Sequence, residues 1–238
     1  MHIKAVFFDY DDTIINVETS REYARHTVAN FIASMLDLSE EQLVGIIKDV
    51  EIRMESMGVF DRRVWFKEVF KSLNLKLDPI IIDKLVTLYW DSWISRSKLF
   101  PDTLPVLNSL RQCGYRIGLI TNTDGEPGFK RNRIRRDGLE SVFDLIVVAG
   151  DDTRSVKPSA EPFKVALKLM GIKGSEAIYV GDKPEVDVPG AKAMGMYTAL
   201  IDRRGLLTIS NMSSKPDYII KSLFELPKIL KCNMKRNT

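Results

Sequence analysis

IKAVFFDYDDTII, residues 3–15, opens with a short apolar run and continues directly into acidic residues. The run Ala5–Phe8 is typical of a buried strand. Asp9 and Asp11 follow it, and residues two apart on an extended segment face the same way, so we expect their carboxylates to converge on one point. Carboxylates that close repel each other unless a cation or a shared proton offsets the charge. A hard divalent cation with oxygen ligands meets that need.

The rest of the chain alternates between short apolar runs and helical patterns. Further strands are predicted at Ile117–Ile120, Leu145–Val148, Ala177–Val180 and Thr198–Ile201. The helical patterns lie at Leu104–Gln112, Phe129–Arg136, Pro162–Met170 and Val188–Met194. This alternation predicts an α/β fold with right-handed crossovers and a doubly wound parallel sheet that is covered on both faces. Ligands of such sheets bind at the carboxyl ends of the strands.

One interval breaks the alternation, because residues 16–96 contain amphipathic helical patterns and no convincing strand. The expected helix starts are marked by Ser39, Asp61 and Asp78. We expect a small helical bundle, inserted after the first strand and placed over its carboxyl end as a cap. The predicted domains are therefore a core of residues 1–15 and 97–238 and a cap of residues 16–96.

The predicted cap contains residues that could bind the non-phosphate part of a substrate, but their sequence pattern favours a structural role. Trp65 lies on an apolar stripe and is expected in the helical core, while Arg62 and Arg63 are expected to be solvated. The basic stretch Lys130–Arg136 is likewise expected to be a solvated helix face. The sequence does not decide whether Arg62, Arg63 or Trp65 sets specificity.

Charge and composition narrow the classes of partner. The 238 residues carry a net charge of only +3, so no global field favours a nucleic acid or a membrane surface. The chain has two cysteines, Cys113 and Cys232, which we expect to be free thiols in a reducing compartment. The apolar run near Met1 is too short for a secretion signal, so a cytoplasmic location is expected.

Three further segments place polar groups at or beyond predicted strand ends. Thr121 and Asn122 supply a hydroxyl and an amide that can donate to a phosphoryl oxygen. Lys157 supplies a cation in a stiff turn, able to neutralise a nucleophile and a phosphate together. Asp182 and Asp187 supply carboxylates that could face the same cation as the first segment. Each segment alone is a weak signal, and their order along the chain is a strong one.

Together these segments resemble the haloacid dehalogenase-like (HAD) hydrolase superfamily, in its first subfamily with a helical cap. The resemblance runs from Ile3 to about Leu230, and it extends to Pro216–Ile220 as a last short strand. Its four motifs are Asp9-Tyr10-Asp11-Asp12-Thr13, Leu119-Ile120-Thr121-Asn122, Val156-Lys157-Pro158, and Gly181-Asp182 with Asp187, which is followed by Gly190-Ala191. The chain departs from many relatives at Asp12, where they have glycine, and at Ala160, where they have proline.

The resemblance implies a phosphatase that acts through an aspartyl-phosphate intermediate. Asp9 would attack phosphorus, and Asp11 would protonate the leaving oxygen and later take a proton from water. Thr121 and Lys157 would hold the phosphoryl oxygens, with Asn122 beside them as a further substrate-binding residue.

The resemblance also implies a Rossmann-like core and a bound Mg²⁺. The metal ligands would be Asp9, the backbone carbonyl of Asp11 and Asp182, while Asp187 would either bind the metal or hold one of its ligands. The expected substrate is a small phosphorylated metabolite whose identity the sequence does not give. The chain is expected to be a monomer or a homodimer.

Three alternative functions, two enzymatic and one non-catalytic, are compatible with the same fold. A dehalogenase is disfavoured, because its halide leaving group needs no acid and Asp11 would have no use. A sugar-phosphate mutase would use Asp9 and Asp11 in the same way, differing only in the acceptor of the phosphoryl group. A non-catalytic binding protein would not need all four motifs.

Overall fold

The computed structural model describes residues 2–76, 78–207 and 214–232. These residues fall into two compact units. The first comprises the described parts of residues 1–15, 99–123 and 130–238, and the second comprises those of 16–98 and 124–129. The short segment 124–129 thus groups with the helical insert, from which it is remote in sequence. That the second unit caps a catalytic core stays a prediction.

The first unit is built on a parallel sheet of six strands, counted over the described residues. The strands of the chain are β1 (Ala5–Phe8), β2 (Ile15–Asn16), β3 (Lys98–Leu99), β4 (Arg116–Asn122), β5 (Leu145–Ala149), β6 (Ala177–Gly181), β7 (Tyr197–Ile201) and β8 (Tyr218–Ile220). The sheet order is β5-β4-β1-β6-β7-β8, while β2 and β3 form a separate two-stranded sheet. All the predicted strands are confirmed, including the last short one.

Helices make up the second unit and alternate with the strands of the first. Those of the second unit are α1 (Glu18–Ala33), α2 (Glu40–Ser56), α3 (Arg62–Ser72) and α4 (Pro79–Arg96). The others are α5 (Thr103–Gln112), α6 (Phe129–Arg136), α7 (Glu161–Met170), α8 (Pro184–Ala193) and α9 (Leu226–Ile229). Within the described residues, no helix is both long enough and apolar enough to cross a lipid bilayer.

The sheet is buried on both faces, as a parallel sheet with helices on each side requires. Every residue of β1 is fully buried, although neighbouring side chains point to opposite faces. On one face Phe7 packs in a cluster with Phe163 and Tyr179, whose rings meet edge to face at 5.0 Å. Gly118 is needed beside this cluster, because a Cβ there would lie 2.4 Å from the Phe7 ring. The predicted doubly wound, Rossmann-like α/β architecture is therefore confirmed.

In the second unit, the predicted helix starts are made by side-chain caps. The Ser39 hydroxyl accepts from the Gln42 amide at 3.2 Å at the start of α2. Asp61 caps α3 and Asp78 caps α4, each accepting a backbone N–H two residues on at 2.8 Å. These bonds satisfy N–H groups that lack partners in the first helical turn. The caps explain why the helices begin where the sequence pattern predicts.

The core of the second unit corrects one expectation. Trp65 is buried as predicted, but Arg62 is also buried, with only 4% of its surface exposed. Its guanidinium carbon lies 3.5 Å from the Trp65 ring centre and 4.7 Å from that of Trp90. One of its nitrogens donates to the Phe60 carbonyl at 2.8 Å. Aromatic faces and a carbonyl thus replace the solvent that we expected around this cation.

The cysteines correct a second expectation, because Cys113 and Cys232 form a disulfide rather than two free thiols. They are 119 residues apart in sequence, yet their Cα atoms lie 5.9 Å apart. Cys113 ends α5 and Cys232 follows α9, and the Tyr115 hydroxyl donates to the Leu230 carbonyl at 2.6 Å beside them. Sequence spacing does not show this meeting of two chain segments. A cytoplasmic location therefore loses the support of free thiols and stays a prediction.

We expect this disulfide to stabilise the fold, because it closes a loop of more than a hundred residues in the unfolded chain. Replacing Cys113 by Ser should lower the free energy of unfolding by about 2–4 kcal/mol. Urea unfolding followed by circular dichroism would measure the change, with the unsubstituted protein examined with and without a reductant. The variant should be insensitive to the reductant. Equal stability of variant and oxidised protein would contradict a stabilising role.

Candidate active site

The predicted site residues meet at one edge of the sheet. Asp9 directly follows β1, Thr121 and Asn122 end β4, and Asp182 directly follows β6. Because β1 lies between β4 and β6, the carboxyl ends of these three strands are neighbours. The Asp9 amide donates to the Val180 carbonyl at 2.8 Å, which fixes the first residue after β1 against β6. Sheet order thus brings together segments that are far apart in the chain.

Three carboxylates form a tight cluster at this edge. Asp9, Asp182 and Asp187 each offer one oxygen, and these oxygens all lie within 4.8 Å of one another. Burial, together with the charge of Asp187, raises the pKa of Asp9 despite the nearby Lys157. Burial and the charges of Asp187 and Asp9 raise the pKa of Asp182 well above its usual value. Without a cation, this cluster is electrostatically unfavourable.

Lys157 is the cation that faces the cluster. Its Nζ lies 2.8 Å from Asp9 Oδ1 and 2.7 Å from Asp187 Oδ1, and it donates to the Tyr179 hydroxyl at 2.8 Å. Burial opposes its charge, but Asp187 and Asp9 outweigh burial and raise the pKa of the ammonium. The lysine therefore stays charged and links the residue after β1 to the first turn of α8.

The backbone of Lys157 is held by the end of β4. The Asn122 side chain accepts from the Lys157 amide at 2.8 Å and donates to the Lys157 carbonyl at 3.3 Å. The peptide bond between Lys157 and Pro158 is cis. Asn122, expected to bind substrate, is thus engaged with the lysine loop, and its contact with substrate stays a prediction. Thr121 is 2% exposed at the same strand end.

Asp187 and Asp182 are placed by the turn from β6 into α8. Asp187 accepts from the Lys183 amide at 2.9 Å, which satisfies a donor at the start of the helix. Asp182 accepts from the Thr13 hydroxyl at 3.3 Å. Gly181 leaves the space that Asp187 occupies, because a Cβ at that position would lie 2.4 Å from the carboxylate.

The carboxylate of Asp11 is not among the three that form this cluster, although its charge contributes to the raised pKa of Asp9. Lys130 donates to its Oδ2 at 2.6 Å and Arg133 donates to its Oδ1 at 2.7 Å. Although burial opposes ionisation, these two cations hold the pKa of Asp11 well below its usual value. The chain has left β1 at this point, so the alternation of an extended strand no longer applies, and the side chain follows the charges of α6.

The same contacts correct our expectation for the basic stretch. Lys130 and Arg133 are only 2% and 4% exposed, whereas Arg135 and Arg136 are exposed as predicted. Lys130, Arg133 and Ile134 share the inner face of α6. The burial of the two cations is compensated by the carboxylate that they share.

Lys130, Arg133 and Tyr179 are the residues of this region that sequence reasoning missed. The signal for the two cations was present, because α6 has only Phe129 and Ile134 as apolar residues and its inner face must therefore include basic ones. Tyr179 was hidden in an apolar strand. Its hydroxyl donates to the Ile120 carbonyl at 2.9 Å, so it is a polar group in the middle of a buried sheet.

The donor set of the carboxylate cluster fits a hard divalent cation. All three donors are carboxylate oxygens, which Mg²⁺ and Ca²⁺ prefer, and Lys157 offsets only one of the three negative charges. Two further positive charges would balance the cluster. The residues present are therefore suited to Mg²⁺ on both chemical and electrostatic grounds.

A family model of haloacid dehalogenase-like hydrolases matches residues 3–195 of the chain. The chain belongs to this family. The expected membership in the HAD superfamily is confirmed, and it agrees with the position of Asp9 after β1 and of Asp182 after β6.

Two curated relatives that match almost the whole chain are named as phosphatases. The chain is 32% identical to the glyceraldehyde 3-phosphate phosphatase of Methanocaldococcus jannaschii, over 99% of this chain and 100% of the relative. It is 24% identical to the human N-acylneuraminate-9-phosphatase, over 96% and 94% of the two chains. The crystal structure of a HAD phosphatase from Thermococcus onnurineus superposes on this chain with a TM-score of 0.71. The two sequences are 30% identical, and the superposition covers 98% of this chain and 100% of the phosphatase chain. The predicted enzyme class, a HAD-like phosphatase, is confirmed by this agreement.

We expect Gly181→Ala to impair the site, because the added methyl group would displace the Asp187 carboxylate from Lys157 and from the start of α8. A displacement of about 1 Å can lower turnover by about a hundredfold. Phosphate release and the melting temperature would be measured together. Gly45→Ala in α2 is the control, since nothing lies within 4 Å of its Cβ. Full activity of Gly181→Ala would show that the position of Asp187 is not critical.

Proposed function

We propose that the protein is a Mg²⁺-dependent phosphatase that hydrolyses a small phosphorylated metabolite through a phosphorylated Asp9. One observation carries the proposal. The carboxylates of Asp9, Asp182 and Asp187 converge within 4.8 Å, and Lys157 bridges Asp9 and Asp187 at 2.8 and 2.7 Å. A nucleophilic carboxylate beside a cation site and a lysine is the arrangement that phosphoryl transfer needs.

Asp9 and Asp182 would hold the Mg²⁺ in this proposal, with the backbone carbonyl of Asp11 as a further ligand. Asp187 would either bind the metal directly or position Lys157, which it contacts at 2.7 Å. The metal would neutralise charge that develops on the phosphoryl oxygens and keep the Asp9 carboxylate ionised despite its burial. The chain's own residues carry out the remaining steps.

In the first step, a carboxylate oxygen of Asp9 attacks phosphorus in line with the bond to the leaving oxygen. That phosphorus–oxygen bond breaks, and the leaving oxygen takes a proton from Asp11. This step requires a protonated Asp11, although Lys130 and Arg133 lower its pKa. The negative charge of a bound phosphate ester would oppose their effect and favour the protonated form. Lys157 and Thr121 hold the phosphoryl oxygens during the transfer. The products are the free alcohol, the phosphorylated Asp9 and the Asp11 carboxylate.

In the second step, a water molecule attacks phosphorus and gives its proton to Asp11. The bond between phosphorus and the Asp9 oxygen breaks, which releases inorganic phosphate and restores the Asp9 carboxylate. Asp11 thereby regains the proton that it lost in the first step. Asn122 would hold the Lys157 loop in place throughout, through its two hydrogen bonds to the Lys157 backbone.

Glyceraldehyde 3-phosphate is the first candidate substrate, because full-length relatives at about 30% identity carry its name. N-acylneuraminate 9-phosphate is the candidate from a more distant relative. Both compounds carry phosphate on a primary alcohol, whose alkoxide leaves poorly without a proton. An acid such as Asp11 is therefore what either substrate requires.

The test is a phosphate-release assay with Mg²⁺ on glyceraldehyde 3-phosphate, N-acetylneuraminate 9-phosphate and p-nitrophenyl phosphate. We expect turnover of glyceraldehyde 3-phosphate that a chelator abolishes and added Mg²⁺ restores. Formation of a bisphosphate in place of free phosphate would identify a mutase. No phosphate release from any phosphorylated metabolite in a broad panel would favour a binding protein.

Asp9→Asn should reduce turnover by at least about a thousandfold without unfolding the protein, because an amide cannot act as the nucleophile. Acid quenching followed by intact-mass measurement should detect a phosphorylated chain in the unsubstituted protein, and peptide mapping should place it on Asp9. Asp12→Asn is the matched control, since it removes the same charge three residues later in a left-handed conformation that Asn tolerates. Full activity of Asp9→Asn would remove the proposed nucleophile.

A further inference from the structure

Two backbone carbonyls of the turn after β1 are bound by residues that are remote in the chain. Thr13 and Ile14, which carry these carbonyls, are fully buried. The Ile14 carbonyl accepts from the Thr103 hydroxyl at 2.6 Å and from the Phe100 amide at 3.1 Å. The Thr13 carbonyl accepts from Arg203 Nη2 at 2.6 Å. Distant partners therefore fix the backbone of the segment that continues from the proposed nucleophile.

Arg203 is held for this contact by Asp102. Two of its nitrogens lie 3.0 and 3.1 Å from the two carboxylate oxygens of Asp102, a paired geometry that orients the guanidinium plane. Asp102 also accepts from the Ser222 hydroxyl at 2.7 Å and from the Leu223 amide at 2.9 Å. The side chains of Arg203 and Asp102 are only 14% and 6% exposed. Because the pair is neutral, Arg203 acts on the turn through the direction of its bonds rather than through a net charge.

Sheet order places this contact beside the carboxylate cluster. Strands β1 and β7 lie on either side of β6, and Thr13 follows β1 while Arg203 follows β7. Their contact therefore joins the two loops that flank the end of β6, where Asp182 lies. The Thr13 hydroxyl donates to Asp182 Oδ1 at 3.3 Å. Thr13 thus accepts from Arg203 through its carbonyl and donates to a proposed metal ligand through its hydroxyl.

The hydrogen bond from Thr13 bears on how Asp182 could hold a cation. It fixes the rotation of the carboxylate, and with it the oxygen that faces a cation. Loss of a group that holds a metal ligand in this way commonly weakens metal binding about 10–100-fold. The bond is long for a hydroxyl donor, so a small shift of the Thr13 backbone would break it. The anchor that Arg203 provides at the Thr13 carbonyl therefore matters for Asp182.

We propose that Arg203, held by Asp102, is a positioning residue for the divalent-cation site and acts on Asp182 through Thr13. The inference rests on the proposed function, in which Asp182 binds Mg²⁺. It extends the site to the loop after β7, which supplies no residue to the carboxylate cluster. In this role Arg203 touches neither substrate nor metal, so it is not itself a catalytic residue.

The first readout is Mg²⁺ binding in the absence of substrate. Arg203→Met and Thr13→Val should each weaken Mg²⁺ binding about tenfold in isothermal titration calorimetry, because the Asp182 carboxylate loses its support. Arg204→Met is the matched control, since it removes the same charge one residue later from a side chain that is 48% exposed. Removing a positive charge near a cation site should by itself tighten cation binding. Arg204→Met should therefore bind Mg²⁺ equally or more tightly.

A double variant tests whether Arg203 acts through Thr13. Valine has nearly the shape of threonine, so Thr13→Val removes the hydroxyl and little else. In that background, Arg203→Met should change the Mg²⁺ affinity less than about twofold, because the hydroxyl that it positions is already absent. Full additivity of the two effects would show that Arg203 acts by another route and would overturn the proposal.

A purely structural role of Arg203 gives a different result. The titration reports the fraction of competent protein as its stoichiometry and the quality of the site as its affinity, and thermal unfolding measures the stability of each variant. If Arg203→Met lowered the stoichiometry or the melting temperature but kept the affinity, the positioning role would be wrong.

Arg203→Lys keeps the test decisive if the methionine variant does not fold. Lysine retains the charge and the long stem, but its single ammonium group cannot reproduce the fork that binds Asp102 and Thr13 together. Arg203→Lys should therefore still weaken Mg²⁺ binding by about threefold or more. Unchanged affinities in both Arg203→Lys and Thr13→Val would contradict the inference.

Failure of this inference is distinguishable from failure of the proposed function. If the unsubstituted protein neither bound Mg²⁺ nor released phosphate, the proposed function would fail and the inference would fail with it. If the unsubstituted protein bound Mg²⁺ and the Arg203 and Thr13 variants bound it equally well, only the positioning role would fail.

Discussion

The buried ammonium group of Lys157 is the interaction on which the centre of the first unit depends. Its contacts with Asp9 and Asp187 join the residue after β1 to the first turn of α8. A buried cation is stable only while its anionic partners stay in place, and crowded carboxylates are stable only while a cation stays with them. The surrounding residues serve this pairing, because Asn122 fixes the lysine backbone and Gly181 leaves room for Asp187.

The sheet and the segments of the site could be predicted from the sequence because their signals are local. A strand buried on both faces is a continuous apolar run, and Ala5–Phe8 is such a run with the same bounds in the structure. The side chains of the predicted site then follow at strand ends, as Asp9 follows β1 and Asp182 follows β6. Parallel strands bring such ends to one edge of the sheet, so chain order was enough to predict a shared site.

The features that the sequence did not predict depend on partners that are remote in the chain. Arg62 is buried because the face of Trp90 lies beside it, and the two cysteines pair because α5 and α9 end close together. Segment 124–129 groups with the helical insert, where Glu126 pairs with Arg63 of α3. Composition and periodicity depend only on residues that are close in sequence. A charged side chain that is buried beside a distant partner is therefore predicted to be exposed to solvent.

The pattern of two aspartates after β1 shows this limit most clearly and also explains the charge of the site. Asp9 and Asp11 are two residues apart, yet burial raises the pKa of Asp9, whereas Arg133 and Lys130 outweigh burial and lower that of Asp11. The cluster of three carboxylates would be balanced by Lys157 together with one divalent cation. A fourth carboxylate would make it negative and oppose a phosphate ester, which is itself an anion. Because α6 takes up the charge of Asp11, a divalent cation bound at the cluster would leave the cluster neutral. The opposite pKa shifts of the two aspartates follow from their distant partners and not from their spacing.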